Sequence, residues 1–176
     1  MRTVRSKRAT AIAQQFVTST AALAGLLETV SQEVWDLPVP SDGRTVGIVA
    51  KHLADSPPVV ISIARSVSAG GKLPSWEAVH EWNAQMAKTN AGCDRRDTIR
   101  ALKEAATASI ATIEKFTDDE LDVTTVNHEG LTRSVADLLQ VLLVGHTLQH
   151  TGEIQKALIN RVESERIQSR DKATHA

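Results

Sequence analysis

Apolar residues recur every three or four positions along most of this chain, and each such run predicts a helix with one buried face. The first covers residues 6–34, where Ile12, Phe16, Leu23, Leu26, Leu27, Val30 and Val34 make a single stripe. Pro38 and Pro40 end it, because neither can donate a helical N–H. Thr45 is a candidate N-cap for a second helix, with Val46, Val49, Ala50 and Leu53 facing inward. Pro57 and Pro58 then predict a kink, or a restart with Ser56 as the cap. The pattern carries on through Val60, Ile61, Ala64 and Val67 to Gly70 and Gly71.

A shorter helix over residues 76–90 is capped by Ser75. A third long helix covers 97–116 on the stripe Ile99, Leu102, Ala106, Ile113 and Phe116. Thr117 and Glu120 have the spacing of a capping box, which predicts one further turn ending near Leu121. Residues 122–130 read as a loop. The last helix starts at Thr132 or Ser134 and runs to about residue 160, with Val135, Leu138, Leu139 and Leu142 buried. Extending that stripe brings in His146, Gln149, His150, Glu153 and Ala157. Residues 161–176 carry no stripe and predict a frayed helix or a disordered tail. The expected fold is all-α: a four-helix bundle over 1–160, with a short extra helix between the second and third long ones, and a polar tail over 161–176.

Composition agrees with this picture. The chain has 176 residues, a length that sustains one core. Three Trp, two Phe and no Tyr leave the core to Ala, Val, Leu and Ile, and no period-two alternation argues for strands. The formal charge of −1 gives no field for nucleic acid. The one cysteine, Cys93, rules out an internal disulfide and makes a reducing cytoplasm the expected compartment. Arg2, Arg5, Lys7 and Arg8 could begin a targeting peptide, but Gln14, Gln15, Thr18, Ser19 and Thr20 interrupt the run after them. No segment reads as long and apolar enough to span a bilayer.

Candidate chemistry lies in the last helix. His146 and His150 stand one turn apart, so both imidazoles project from one face, at the spacing with which two nitrogens grip one divalent cation. Such a pair alone is a common coincidence. Two buried histidines hydrogen-bonded to neighbours would satisfy it equally well. The extension of the core face turns the pair inward, where an unpartnered imidazole costs roughly 1–3 kcal/mol. His52 lies on the inward side of the second helix, and three histidines from two helices make an open site. Glu153 shares the face of His146 and His150 and is read as a fourth ligand, an acceptor that fixes an imidazole tautomer, or a general base. Asp55, three residues after His52, could orient it, and Gln149 reads as a rim contact. His80 and His128 are expected outside the triad, although His128 could approach its mouth; His175 lies in the tail. Trp76 and Trp82 are expected to pack against the end of the bundle.

The order of these pieces resembles the DinB/YfiT-like superfamily of small four-helix metalloproteins. The resemblance rests on Thr45-Val46-Gly47-Ile48-Val49-Ala50-Lys51-His52-Leu53-Ala54 and on Gly145-His146-Thr147-Leu148-Gln149-His150-Thr151-Gly152-Glu153-Ile154. The stretches Glu81-Trp82-Asn83-Ala84 and Arg95-Arg96-Asp97 also look like members related to mycothiol-dependent maleylpyruvate isomerase. The resemblance implies a divalent metal, zinc or nickel first, on His52, His146 and His150. It also implies thiol-dependent transferase or isomerase chemistry with a low-molecular-weight thiol cosubstrate, and Glu153 as the catalytic proton handler. Small-molecule substrates, neither nucleic acid nor membrane, are the expected partners, and the resemblance allows a homodimer. Two other readings stay open: a metal-dependent hydrolase, and a non-catalytic, stress-related bundle that binds metal incidentally or not at all.

Overall fold

Each predicted stripe finds a partner. The computed structural model describes residues 6–174; Arg2, Arg5 and His175 lie outside them. Eight α-helices are present among the described residues: α1 (Lys7–Thr29), α2 (Gln32–Trp35), α3 (Val46–Ser68), α4 (Trp76–Thr89), α5 (Arg95–Ile113), α6 (Asp118–Asp122), α7 (Val135–Leu139) and α8 (His146–Thr174). A π-helical segment, Gln140–Gly145, joins α7 to α8, so the last helix is continuous with one wide stretch. The four long helices, the last taken from Val135 onward, form the bundle.

The apolar residues divide into two clusters at opposite ends, and these give the helix directions. One holds Ala9 to Phe16 of α1, Ile61 to Val67 of α3, Ala106 and Ile113 of α5, and Val135 to Val144. The other holds Leu23 and Leu27 of α1, Val46 to Ala54 of α3, Ile99 and Leu102 of α5, and Ile154 and Ala157 of α8. Thus α1 and α8 run one way, and α3 and α5 the other. The neighbours α3 and α5 are consecutive long helices yet parallel, so the chain must return the length of the bundle between them. Residues 69–94 make that crossover, and α4 lies in it against α3. Between the clusters lies a polar waist of buried Ser19, Thr20, Ser56, Thr147 and His150, with His52 at its edge.

Several expectations are corrected. The first helix stops at Val30, whose backbone is extended, and Ser31 caps the separate turn α2 by accepting from the Val34 N–H. Helix α3 runs unbroken through Pro57 and Pro58. The prolines withhold donors from two carbonyls only, and buried Ala54, Ser56, Pro57 and Ile61 hold that turn in the core. Residues 122–130 are not all loop: β1 (Thr124–Val126) pairs antiparallel with β2 (Thr132–Ser134), aligning Thr125 with Arg133. Strands of three residues are too short to show alternation in the sequence. Asn127 Oδ1 accepts from the N–H groups of Glu129 and Leu131, and Gly130 supplies the left-handed φ of 77° that closes the turn. Helix α8 continues to Thr174, although its residues 161–170 are exposed. Both α1 and α3 prove long and apolar enough to cross a membrane, contrary to expectation, but their apolar faces lie in the two core clusters.

Ser75 and Thr45 cap α4 and α3, accepting from the N–H groups of Ala78 and Ile48, and Thr117 with Glu120 forms the capping box before α6. Gly47 permits a close approach: a Cβ there would overlap the indole of buried Trp35. That indole donates to the Cys93 carbonyl at 3.1 Å and so ties the loop after α1 to the start of α5.

Candidate metal centre

His52 is the seventh residue of α3, two turns from its Thr45 cap, and is 6% exposed. His146 and His150 open α8, directly after the π segment. That segment shifts the helical phase, so the buried line is not the predicted one. Leu142 is half-buried and Gln149 is exposed, while Leu143, Val144, Thr147, His150 and Ile154 face the core. His146 sits half-buried on the flank of that line, facing α3.

The three predicted histidines come together. His146 Nε2 lies 3.2 Å from His52 Nε2 and 3.0 Å from His150 Nε2. All three ring nitrogens fall within 4.8 Å of one another. Two nitrogens bound to one ion at roughly 2.0–2.1 Å stand about 3.0–3.4 Å apart for ordinary coordination angles, so the spacing suits a shared cation. Protons alone serve the cluster poorly, because a single N–H cannot satisfy three converging lone pairs.

The protonation states fit the same purpose. Burial pushes His52 down to about 3, helped by repulsion from His146 and Arg44. Burial likewise pushes His146 down to about 4, with His150 and Arg44 adding to it. Both are therefore neutral near pH 7, the form that ligates metal. His150 Nδ1 donates to Glu153 Oε2 at 2.6 Å, which leaves its Nε2 lone pair toward the other rings. Gln149 Nε2 donates to Glu153 Oε1 at 3.2 Å. Burial would raise the Glu153 carboxyl, but the His150 and Gln149 hydrogen bonds outweigh it and hold the group below the usual carboxylate range. Among the described residues, two buried side-chain polar atoms lack a partner: Thr20 Oγ1 and His52 Nδ1.

Other candidates are placed differently. Asp55 does not orient His52; it pairs with Lys51 and accepts from Asn90 Nδ2 at 3.1 Å, because its side chain faces the end of α4. His128 is not one of the three clustered histidines. It lies 5.1 Å from the Trp76 ring, with His80 also 5.0 Å from Trp76. Trp82 is not end packing: the crossover carries it to 5.7 Å from the His52 ring, where it walls the site. Sequence reasoning also missed Ser41, Asp42 and Arg44, whose loop precedes α3. Helical spacing could not mark them, because they precede the extended Thr45 cap and lie outside α3.

Known structures share this arrangement of helices. YfiT from Bacillus subtilis, described as a probable metal-dependent hydrolase with an unusual four-helix bundle topology, aligns with a TM-score of 0.69 at 20% identity over 92% of each chain. An uncharacterized protein from Clostridium difficile 630 aligns at 0.65 and 13% identity, over 82% of this chain and 92% of that one. A mycothiol-dependent maleylpyruvate isomerase aligns at 0.64 and 14% identity, over 81% of this chain but 59% of its own. At such identities the likeness establishes the fold. No curated protein matches the chain. The sequence itself carries the assignment: residues 15–154, which reach into all four long helices and include the three histidines, match the model of the DinB superfamily, and the chain belongs to that family.

Proposed function

We propose that this protein is a divalent-metal-dependent enzyme acting on small molecules, with His52, His146 and His150 as the metal ligands. The observation that carries the reading is the convergence of three Nε2 atoms, one of them oriented by Glu153 through the far side of its ring. A divalent cation bound there supplies Lewis acidity, which lowers the pKa of a coordinated thiol or water. The chain's own residues set the conditions for it. Imidazole ligands add no charge of their own to a bound cation, and the Trp82 ring lies 5.7 Å from that of His52. Glu153, ionised and bonded to His150, is the residue proposed to handle the proton that a thiol gives up.

The reaction class we favour is thiol-dependent transfer or isomerisation. The fold likeness to a mycothiol-dependent isomerase supports it, as do three soft-to-borderline nitrogen ligands with no carboxylate among them. Hydrolysis at the same centre is the second reading, supported by the likeness to YfiT. The test is metal content of untagged protein followed by a thiol-consumption assay with electrophiles. Close to one zinc or nickel per chain, lost in His146→Ala together with thiol consumption, supports the proposal. Metal-free protein whose melting ignores added zinc and nickel would leave only a helical scaffold.

A further inference from the structure

The histidines of the triad are not held alike. His150 donates from Nδ1 to Glu153, so a hydrogen bond sets the direction of its ring. His52 turns Nε2 toward His146, and its Nδ1 is buried with no partner among the described residues. A metal on Nε2 leaves the ring proton on Nδ1. Ligating histidines ordinarily donate that proton to an acceptor, which fixes the ring. His52 has no such acceptor, so its direction must come from packing.

Trp82 supplies the contact. Among the described residues it is the one ring outside the triad that packs on His52, with centroids 5.7 Å apart and planes inclined at 56°. Aromatic pairs attract at centroid separations of roughly 4.5–7 Å. His146 and His150 meet His52 edge-on from α8, at 5.0 and 5.7 Å. The His52 ring thus has rings from two other helices against it, and α4 contributes one of them.

The face that α4 turns to α3 places Trp82. Val79, Trp82, Met86 and Asn90 recur at three- and four-residue spacing and are half-buried, whereas Glu77, Glu81, Gln85 and Lys88 are exposed. Asn90, the C-cap of α4, donates from Nδ2 to Asp55 at 3.1 Å, and Asp55 also pairs with Lys51. Lys51 and Asp55 bracket His52, so the end of α4 is tied to the turn of α3 that carries the ligand. No residue of α4 is fully buried or belongs to either apolar cluster. Core packing therefore does not account for an indole at this point.

We infer that Trp82 is a positioning residue for the metal centre: its ring holds His52 with Nε2 toward the triad, in place of a hydrogen bond such as the one that holds His150. This rests on the metal-ligand reading above. Trp82 acts through His52 and makes no bond to the metal.

The test uses the full chain loaded with zinc and isotope-labelled in its histidine rings. It compares Trp82→Phe, which keeps a ring, with Trp82→Leu, which keeps only apolar bulk. The nitrogen resonance of His52 Nε2 reports whether that atom is bound, and chelator competition gives the affinity. Trp82→Leu is expected to lower zinc affinity roughly 3–10-fold and to move the His52 Nε2 resonance toward that of free imidazole, while His146 and His150 stay bound. Trp82→Phe should stay close to the unaltered protein. A leucine variant that matches the unaltered protein, or a phenylalanine variant that loses as much as leucine, overturns the inference and leaves the metal reading in place. The unaltered zinc-loaded protein should also show nuclear Overhauser contacts between the Trp82 indole and the His52 ring, and their absence overturns it without any variant. Protein that takes up no zinc overturns both.

Discussion

Glu153 Oε2 accepts the Nδ1–H of His150 across 2.6 Å, one turn further along α8. The contact is charge-assisted, and it holds the ring so that its other nitrogen meets His146. A carboxylate behind a ligating imidazole raises the basicity of that ligand and limits its rotation.

Removing that carboxylate should weaken metal binding without unfolding the bundle. Glu153→Ala is expected to lower zinc affinity by about 10–100-fold. Glu153→Gln keeps an acceptor and should lose less. Competition against a chromophoric chelator measures both, and equal affinity in all three proteins would contradict the role.

The metal-free protein should lose stability in acid. An unfolded histidine takes its proton near 6.5, but folded His52 and His146 refuse it until about 3 and about 4. Between those values the unfolded chain binds more protons, so stability rises with pH across the window. It is complete above pH 6.5 and falls as the pH drops toward 4, by at most roughly 1.4 kcal/mol per unit for each histidine. Urea melts in chelator from neutral pH downward should show this slope, reduced in His52→Gln. A flat profile would count against buried, neutral rings.

Gly47→Ala should destabilise the fold by about 1–3 kcal/mol, because the added methyl overlaps the Trp35 indole. The indole would shift and its bond to the Cys93 carbonyl lengthen. A lower melting temperature with a red-shifted tryptophan emission is the expected pair of readings. Unaltered melting would mean that Trp35 has room to move.

Thr20→Val should do the opposite. The hydroxyl is buried in the waist without a partner, and valine fills nearly the same volume with no polar atom. A gain on the order of 1 kcal/mol is expected in denaturant melts. A loss would show that the hydroxyl has a partner after all.

The helices were readable because their signals are local. The stripe from Ile12 to Leu27, the Ser75 cap and the Thr117–Glu120 box each depend on residues a turn or two apart, and each stands in the structure. The shared face of His146 and His150 is of the same kind. Their meeting with His52 was only inferable, from an inward position on a separate stripe, since His52 and His146 stand 94 positions apart.

What lay beyond the reach of the one-dimensional pattern depends on contacts between distant segments. A sequence does not state that α3 and α5 lie parallel, yet this forces the crossover that sets Trp82 beside His52. Nor does it mark the π segment before His146, because backbone pairing there is decided by how Leu143 and Val144 pack against other helices. Periodicity specifies which face of a helix turns inward. Which residues then share one point in space is set by the mutual packing of all four helices, a property that no single stretch of the chain contains.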